Sequence, residues 1–452
     1  MKIAFIGGGS VLWTPMLVTD MALTDTLAGA NLVLHDVDTD ALELLTYACE
    51  RIIQQAGGSL HVNATVDRAE ALRDADFVIL SVAIGGLPAV RYDLEIPERY
   101  GIYQSVGDTV GPGGLARGLR HIPFAVQVAR EMEQLCPDAW MLNLTNPMTT
   151  ICRGITRATG IRTIGLCHEV TGVRHHLAEL LQVPVETVTL GVAGINHLPV
   201  ILRFDICGRD GMDLLRGWLA ERGPFARVGQ IDLNSVFDVF IDRLAVKLTL
   251  FEQLGVLFGA GDRHVAEFFP GFLAAEGERG RRYGIVLTNA DHREEMARER
   301  RTRIVRFVAG ELEEGLQHSD EQLAPVLAAL AGGPTGRFSV NVPNRGQVDN
   351  LPRDAVVECI AEVDSLGVRP LAVGALPHPA YIAVAPHVAR QELIVEAALT
   401  GQREPALAAL VTDPLVRDPA TAGPMLDDLL AANAECTTDY PPPEMLPSVG
   451  EL

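Results

Sequence analysis

The chain has 452 residues, a length that predicts two domains rather than one small core. Hydrophobic residues make up 48% of it and charged residues 21%, as in an ordinary soluble globular protein. The net charge of −21 excludes a broad basic surface for nucleic acid or anionic membranes, although a few local arginines could still hold an anionic substrate.

Neither a signal peptide nor a membrane span is indicated by the sequence. The first residues, MKIAFIGGGS, fit a β-strand that ends at glycines, and no apolar run approaches the length of a bilayer span. The seven cysteines are scattered along the chain, which is typical of reduced, buried thiols. We therefore expect a cytoplasmic protein with no membrane or nucleic-acid partner.

The first third alternates short apolar strands with helical segments, which predicts a parallel, doubly wound sheet of the Rossmann type. After the strand KIAFI come Gly7, Gly8, Gly9 and Ser10, followed by a helical pattern. Such a turn lets backbone N–H groups approach the pyrophosphate of a dinucleotide. Leu12 occupies the third glycine position of the G-x-G-x-x-G fingerprint, so the glycine run alone is a weak signal.

The strands that follow add polar residues at one edge of this sheet. The second, NLVLHD, ends in Asp36, where the ribose-binding acid of an NAD site belongs; a carboxylate there favours NAD over NADP. The third predicted strand is DFVILSVAIGG. The fourth, AWMLNLTNP, ends in Asn143 and Asn146 at the edge where such sheets bind ligands. We expect Asn146 to contact substrate, and Asn143 either to contact cofactor or to satisfy backbone groups.

A glycine-rich segment, GDTVGPGGLARGLRHIP, spans residues 107–123 and opens a predicted helix near Leu115. It carries Asp108, for which two roles are open. The carboxylate either contacts a ligand or stabilises the start of the helix.

The alternation breaks down after about residue 170, and the second half predicts an α+β domain. VETVTLGVAGINHLPVILRFDICGRDG fits strands, SVFDVFIDRLAVKLTLFEQLG a helix, and REEMARERRTRIVRFVAGELEEGL a helix with a solvated charged face. FSVNVPNRGQVDNLP predicts a hairpin, ARQELIVEAALTG a helix that stops at Gly401, and a last helix follows DPATAGP. We place an NAD-binding domain at 1–168 and a substrate, metal and oligomerisation domain at 169–452, with the site at their junction.

Cys167 ends a fifth predicted strand, RTIGLC, and GINHLP supplies Asn196 and His197 further along the chain. Cysteine, histidine and ligand oxygens can bind a divalent metal and leave positions open for substrate. Simpler interpretations are a buried thiol and a turn histidine. The segment GDRHVAEFFP adds Asp262, Arg263 and His264, a charge cluster that also fits a surface salt bridge.

Several of these motifs together are similar to one family. FIGGGS, GPGGLARGLRHIP, NLTNPM, GLCHEV, GINHL and NLP…VVE follow the order found in glycoside hydrolase family 4, and the resemblance covers nearly the whole chain. It implies a fold like that of lactate and malate dehydrogenases, the cofactors NAD and Mn²⁺ or another divalent metal, and homodimers or tetramers. It also implies glycoside hydrolysis by transient oxidation at C3, metal-assisted C2 deprotonation, elimination, water addition and re-reduction.

The resemblance assigns roles by motif match. It makes Cys167 and His197 the metal ligands, and Asn146 and Asn196 sugar-site or metal-site residues. His168, in a variable position, then contacts the sugar or assists the leaving group. The CHEV form resembles the branch that acts on non-phosphorylated glycosides, which leaves glucosides, galactosides and uronides open. The catalytic tyrosine of phospho-glucosidase members has no clear counterpart, and the candidate bases are Asp262, His264, Tyr103 and Tyr283.

In the resulting hypothesis, Arg263 binds substrate. The predicted catalytic residues are Asp108, His168, Asp262 and His264. Two alternatives stay open: an NAD-dependent dehydrogenase of 2-hydroxy acids, which would accumulate NADH, and a non-enzymatic NAD-sensing protein. No dehydrogenase His–Asp pair is evident, and the chain is about a hundred residues longer than the usual two-domain form of that enzyme.

Overall fold

The computed structural model describes residues 1–232, 238–313 and 315–436, and within them twelve strands join into one sheet. The strands are β1 (Lys2–Ile6), β2 (Asn31–His35), β3 (His61–Thr65), β4 (Phe77–Leu80), β5 (Trp140–Asn143), β6 (Arg162–Leu166), β7 (Val188–Ile195), β8 (Leu198–Ile206), β9 (Arg209–Asp210), β10 (Gly336–Pro343), β11 (Val356–Asp364) and β12 (Gly367–Pro370).

The α-helices of the same residues are α1 (Thr14–Ala22), α2 (Thr39–Ala56), α3 (Arg68–Leu72), α4 (Gly86–Arg99), α5 (Gly111–Leu135), α6 (Met148–Ala158), α7 (Glu169–Leu181), α8 (Gly211–Arg222), α9 (Ala245–Leu254), α10 (Asp262–Val265), α11 (Ala290–Val308), α12 (Leu323–Leu330), α13 (His378–Thr400), α14 (Arg403–Val411) and α15 (Ala422–Cys436). None of them is long and apolar enough to cross a membrane.

The first half of the sheet has the order β3-β2-β1-β4-β5-β6, with all six strands parallel. Alternate side chains of β1 enter two different cores: Ala4 and Ile6 pack in the one with α5 and α6, while Ile3 and Phe5 pack in the one with α1, α2 and α12. Helices therefore cover both faces, and the predicted doubly wound α/β sheet is confirmed. Its strand order reverses between β1 and β4, where such sheets bind ligands.

One strand of this half is absent from the sequence prediction. The missed strand, β3, lies at the sheet edge and consists of HVNAT, in which no residue is buried. Because an edge strand has only one neighbour and little core to cover, it lacks the apolar run that identified the other strands. The predicted fifth strand is consequently the sixth.

The second half continues the same sheet in antiparallel fashion. Strand β10 pairs antiparallel with β6, and the order runs on through β11, β7, β8 and β9, with β12 paired to β11. The strands and interspersed helices agree with the predicted α+β character. The predicted units 1–168 and 169–452 therefore share one sheet, and residues 437–452 of the second lie outside the described residues.

The helix predicted from SVFDVFIDRLAVKLTLFEQLG is much shorter than expected. Residues 235–237 lie outside the described residues, Asp238–Phe240 form a 3₁₀ turn, and the α-helix α9 begins only at Ala245. Leu244 has a left-handed backbone (φ +63°), which ends any helix before it. The carboxylate of Asp262 caps the helix start by accepting N–H bonds from Val246 and Lys247.

Three other predicted elements are present, and two of them begin at residues other than the predicted ones. The helix expected near Leu115 begins at Gly111, with Pro112 in its first turn. The hairpin predicted at FSVNVPNRGQVDNLP is the β10–β11 pair, but its second strand begins at Val356, after a loop in which the Asn344 amide donates to backbone carbonyls. The helix stop at Gly401 is confirmed, with φ +70°.

Candidate active site

A cavity of about 400 Å³ lies beyond the carboxyl ends of β5 and β6. The sequence-predicted residues that line it are Asp108, Asn146, Cys167, His168, His197, Asp262, Arg263 and His264. The carboxyl ends of the parallel strands and the antiparallel half of the sheet thus meet at one pocket, at the predicted junction of the two units.

Cys167 and His197 meet at the floor of this pocket. Cys167 directly follows β6, and His197 lies in the tight turn between β7 and β8, where its φ of +66° is rare for a residue with a side chain. The Cys167 Sγ is 3.6 Å from the His197 Nε2, and both side chains are buried. A left-handed backbone at such a point is the kind of local strain found at functional sites.

A hydrogen-bond chain sets the orientation of the His197 ring. The Thr109 hydroxyl donates to Asp108 Oδ1 at 2.7 Å and lies 2.7 Å from His197 Nδ1. A hydroxyl has one proton to donate, so the Nδ1–H of His197 must donate to Thr109. The Nε2 lone pair then faces Cys167, the arrangement typical of a metal-binding histidine.

His264 and Asp108 lie beside this pair. Ligand atoms of Asp108, His197 and His264 all lie within 4.8 Å of one another, and the two imidazole centroids are 3.7 Å apart. Burial lowers the pKa of His197 and of His264 to about 3, so both rings are neutral near pH 7. Neutral imidazoles are metal ligands rather than anion-binding groups.

In the protein alone, the Cys167 side chain favours the neutral thiol over the thiolate. Burial raises the pKa of its thiol well above the usual value, and the carboxylates of Glu358 and Glu169 raise it further. A bound cation would reverse this preference, because metal coordination deprotonates a thiol. A raised thiol pKa disfavours Cys167 as a free nucleophile and is compatible with a role as a metal ligand.

Buried polar atoms without hydrogen-bond partners cluster around the same point. They include His264 Nδ1 and Asn146 Oδ1 in the pocket wall, and Asn196 Oδ1 behind it. An unpaired buried polar atom costs roughly 1–3 kcal/mol, so several in one place indicate a site that a ligand completes. Donor types and orphan atoms together fit a divalent metal with a polyhydroxylated substrate.

His168 also lines the pocket, and its Nε2 lies 3.6 Å from Glu169 Oε1, the oxygen that is also 3.6 Å from His264 Nε2. The His168 Nδ1 is 2.8 Å from Glu321 Oε1, and Trp13 packs within 6.4 Å of its ring. Burial lowers the pKa of His168, but the hydrogen bond to Glu321 outweighs this and raises the pKa to about 9. The imidazole is therefore protonated at neutral pH, as a contact for an oxygen atom of the substrate would be.

Two arginines add positive charge to the pocket, and Arg293 was missed in the sequence. Arg263 donates to Thr288 Oγ1 at 2.6 Å and lies under Phe240, while its Nε has no partner. Arg293 lines the pocket from α11, and its guanidinium makes no hydrogen bond or ion pair with any described residue. Burial lowers the pKa of Arg293, and the Asp108 carboxylate opposes this.

A model described as family 4 glycosyl hydrolase matches residues 2–183, and one of that family's C-terminal domain matches residues 192–416. The chain belongs to glycosyl hydrolase family 4. The resemblance stated from the motifs is therefore confirmed, and the protein is a glycosyl hydrolase rather than a dehydrogenase or a non-enzymatic NAD sensor.

Relatives of this family 4 enzyme cover at least 95% of its length. The α-galacturonidase of Bacillus subtilis is 36% identical over 441 residues, which are 95% of this chain and 96% of that protein. The solved structure named glucosidase lplD, from Bacillus subtilis, is 34% identical with a TM-score of 0.88, over 95% of this chain and 99% of that one. A 6-phospho-beta glucosidase from Thermotoga maritima, solved with manganese, NAD⁺ and glucose-6-phosphate, shares the fold at 23% identity and TM-score 0.78, over 96% and 99%.

The glycine loop of the family 4 enzyme packs against Asp36. The Gly9 N–H donates to Asp36 Oδ2 at 2.8 Å, and a Cβ on Gly9 would lie 2.6 Å from that oxygen. A Cβ on Gly7 would lie 1.9 Å from the Ser81 carbonyl oxygen, and one on Gly8 would lie 2.9 Å from Leu34 Cβ. The glycines are therefore required by the packing of the loop against β2 and β4. The Asp36 carboxylate lies next to the loop and fixes it through the bond from the Gly9 N–H.

Four predicted roles change with the structure. Asn143 is fully buried. Its side-chain N–H donates to the Thr145 carbonyl and its side-chain oxygen accepts from the Thr145 N–H, so the amide shapes the loop and has no surface for a cofactor. Asp262 caps α9 and pairs with Lys247 at 2.9 Å, which makes it a structural acid rather than a catalytic base. Tyr103 contacts Arg279, and Tyr283 packs on Phe272; neither lines the pocket.

Asn196 lies behind the pocket rather than in its wall. Its side-chain amide donates to Glu358 Oε2 at 3.4 Å, and its backbone N–H donates to Thr149. The side chain is fully buried next to Cys167, and hydrogen bonding from Asn196 lowers the thiol pKa. The structure thus gives Asn196 the position of a residue that supports a metal ligand, whereas Asn146 faces the pocket.

Proposed function

We propose that this family 4 enzyme hydrolyses the glycosidic bond of non-phosphorylated α-galacturonides, and that it uses NAD and a divalent metal. The observation that carries the substrate class is the pair of half-buried arginines, Arg263 and Arg293, in the wall of the pocket that holds the Cys167–His197 pair. The α-galacturonidase name of a relative that is 36% identical over 95% of this chain supports the same substrate.

A uronate carboxylate suits these two arginines chemically. Guanidinium groups bind carboxylates through paired N–H donors, and such charge-assisted bonds are about twice as strong as neutral ones. Arg263 has an unpartnered Nε, and Arg293 has its guanidinium free of bonds to any described residue. A neutral hexoside would offer no counter-charge to either half-buried guanidinium, which disfavours it as the substrate.

The protein's residues fit both proposed cofactors. Cys167 and His197 would hold the metal, and the loop from Gly7 to Ser10, bordered by Asp36, would hold NAD. When bound, NAD supplies hydride transfer at C3 of the sugar, and the metal supplies Lewis-acid polarisation of the C2 and C3 oxygens. Thr109 fixes the His197 tautomer for this task, and Asn146 points an unpaired oxygen at the site. A cytoplasmic location and a homo-oligomeric state stay predictions.

The redox route is tested by hydrolysis of an α-galacturonide in D₂O. We expect deuterium at C2 of the released galacturonic acid, an absolute requirement for NAD⁺ and Mn²⁺, and no accumulation of NADH. NMR spectroscopy of the product and absorbance at the NADH band measure these outcomes. Product from an active preparation that carries only protium at C2 would contradict the route, and stoichiometric NADH would instead indicate a dehydrogenase.

The assignment of Asp36 to the ribose is tested by Asp36→Asn. Loss of one charge-assisted bond to a ribose hydroxyl, roughly 1.5 kcal/mol, is expected to lower the preference for NAD⁺ over NADP⁺ about 10-fold. Fluorescence titration of both nucleotides measures the two Kd values. Asp38→Asn is the matched control, because Asp38 caps α2 nearby by accepting from the Ala41 N–H. An unchanged preference in Asp36→Asn would contradict the assignment.

A further inference from the structure

We propose that Thr288 positions Arg263 for the carboxylate of a uronide substrate, so that selection of the uronate depends on a residue outside the wall of the active-site cavity. This inference rests on the proposed function, in which Arg263 and Arg293 bind that carboxylate. It adds a positioning residue, because Thr288 acts through the Arg263 guanidinium and not by touching the sugar.

The Thr288 hydroxyl lies between the Arg263 side chain and the backbone of Ser105. It accepts a hydrogen bond from Arg263 Nη2 at 2.6 Å and donates its own proton to the Ser105 carbonyl oxygen at 2.6 Å. A guanidinium only donates and a carbonyl oxygen only accepts, so the direction of both bonds is fixed. Thr288 is only 8% exposed, and both bonds are therefore shielded from water.

Ser105 is a rigid anchor for this hydroxyl. It is fully buried, its hydroxyl donates to the Arg263 carbonyl, and its carbonyl also accepts from the Thr288 N–H at 3.0 Å. The next two backbone N–H groups of the chain donate to Oε1 of the buried Glu267 at 2.7 and 2.9 Å. A series of hydrogen bonds from fixed backbone thus ends on one nitrogen of the Arg263 guanidinium.

The bond to Thr288 leaves other donors of Arg263 for a ligand. Within the described residues, the hydrogen bonds of this guanidinium are made by Nη2, and the buried Nε has no partner. The Phe240 ring centre lies 4.9 Å from the guanidinium carbon and limits movement on one face. Because the group is planar, fixing one nitrogen and one face sets the direction of the remaining N–H groups. A cation held in its bound orientation loses less entropy when the anion binds.

The backbone and the hydroxyl of Thr288 serve different arginines. Asn289, the next residue, is the N-cap of α11, and Arg293 lies near the start of that helix. The bond from the Thr288 N–H to Ser105 therefore places the helix that carries Arg293, whereas the hydroxyl bonds to Arg263. A substitution that removes only the hydroxyl changes Arg263 and leaves the backbone bond in place.

The test compares Thr288→Val, which keeps the side-chain shape without the hydroxyl, with Thr288→Ser, which keeps the hydroxyl. We expect Thr288→Val to lower kcat/KM for an α-galacturonide about 10-fold, chiefly through KM, because the carboxylate is remote from the reacting carbons. The α-galactoside with the same aglycone should change by less than about threefold, as should both substrates in Thr288→Ser. Thr302→Val is the matched control, since it removes an exposed hydroxyl of α11 that donates to the Arg298 carbonyl.

A double-mutant cycle shows whether Thr288 acts through Arg263. In an Arg263→Gln background the valine substitution has no guanidinium left to misplace, and we expect no further loss of galacturonide hydrolysis. Thermal unfolding followed by circular dichroism confirms that each variant is folded.

The outcomes separate this inference from the proposed function. Unchanged galacturonide hydrolysis in Thr288→Val, equal slowing of galacturonide and galactoside, or full additivity with Arg263→Gln would each overturn the role of Thr288 and leave the substrate class in place. A wild-type enzyme that hydrolyses the galactoside but not the galacturonide would contradict the proposed function itself, and the role of Thr288 with it.

Discussion

Replacing Arg293 with glutamine is expected to lower kcat/KM for an α-galacturonide about 10²–10³-fold, because removing one partner of a desolvated charge pair costs about 2–5 kcal/mol. The same change should alter kcat/KM for an α-galactoside by less than about threefold, since that sugar offers no carboxylate. The measurement is a pair of steady-state assays on two substrates with the same aglycone, which differ only in carrying CH₂OH or CO₂⁻ on C5 of the sugar.

Two further variants make the result specific. Arg293→Lys keeps the charge but loses the planar fork, and we expect an intermediate loss of about 10-fold. Arg300→Gln removes an exposed arginine of the same helix, α11, and should leave both assays unchanged. If Arg293→Gln slows both substrates equally, Arg293 supports the pocket and does not select the uronate.

The sequence predicts α11 but not its role, and the reason is physical. Residues 290–308 show a charged amphipathic pattern, which is typical of a solvated helix and gives no sign that one arginine faces inward. Arg91 of α4 bonds to Asp291 and Glu294 on either side of Arg293 and joins the start of α11 to α4. That contact joins segments far apart in the chain.

The features that could be predicted are those set by neighbouring residues. The glycine turn, Asp36 at the end of β2 and Cys167 at the end of β6 depend on a strand and the few residues after it, and a sequence pattern records them. Asp108, His197 and His264 instead come from three separate parts of the chain, the loop before α5, the β7–β8 turn and α10, and they meet only in the folded structure. No local pattern contains that information.

The segment GDRH shows how adjacent residues separate into different roles. Asp262 and His264 both line the pocket, but the Asp262 carboxylate is taken up by the start of α9 and by Lys247, whereas His264 Nδ1 has no hydrogen-bond partner. In the sequence the two were equal candidates for the catalytic base. Their difference follows from the one-turn helix α10, which directs residues two positions apart to opposite sides.

Replacing Lys247 with methionine is expected to destabilise the protein by about 3–5 kcal/mol, because it leaves buried carboxylates without their cation. Lys247 is one of only two lysines in the chain, is fully buried, and lies 2.6 Å from Asp242 Oδ2 and 2.9 Å from Asp262 Oδ1. Burial lowers its pKa, but the two carboxylates outweigh burial and raise it. Urea unfolding of the free protein, followed by circular dichroism, measures the loss.

Once Lys247 is replaced, Asp242 and Asp262 differ in the hydrogen-bond partners that they keep. Asp262 keeps the backbone N–H donors of Val246 and Lys247 at the start of α9, where the helix dipole also favours negative charge. Asp242 keeps only the Leu244 N–H and His176, so it carries most of the penalty. The double variant Lys247→Met/Asp242→Asn should therefore recover more than half of the lost stability, while Lys2→Met at the chain's other, surface lysine should cost less than about 1 kcal/mol. A double variant as unstable as Lys247→Met alone would mean that the ammonium stabilises the fold by filling space and not by balancing Asp242.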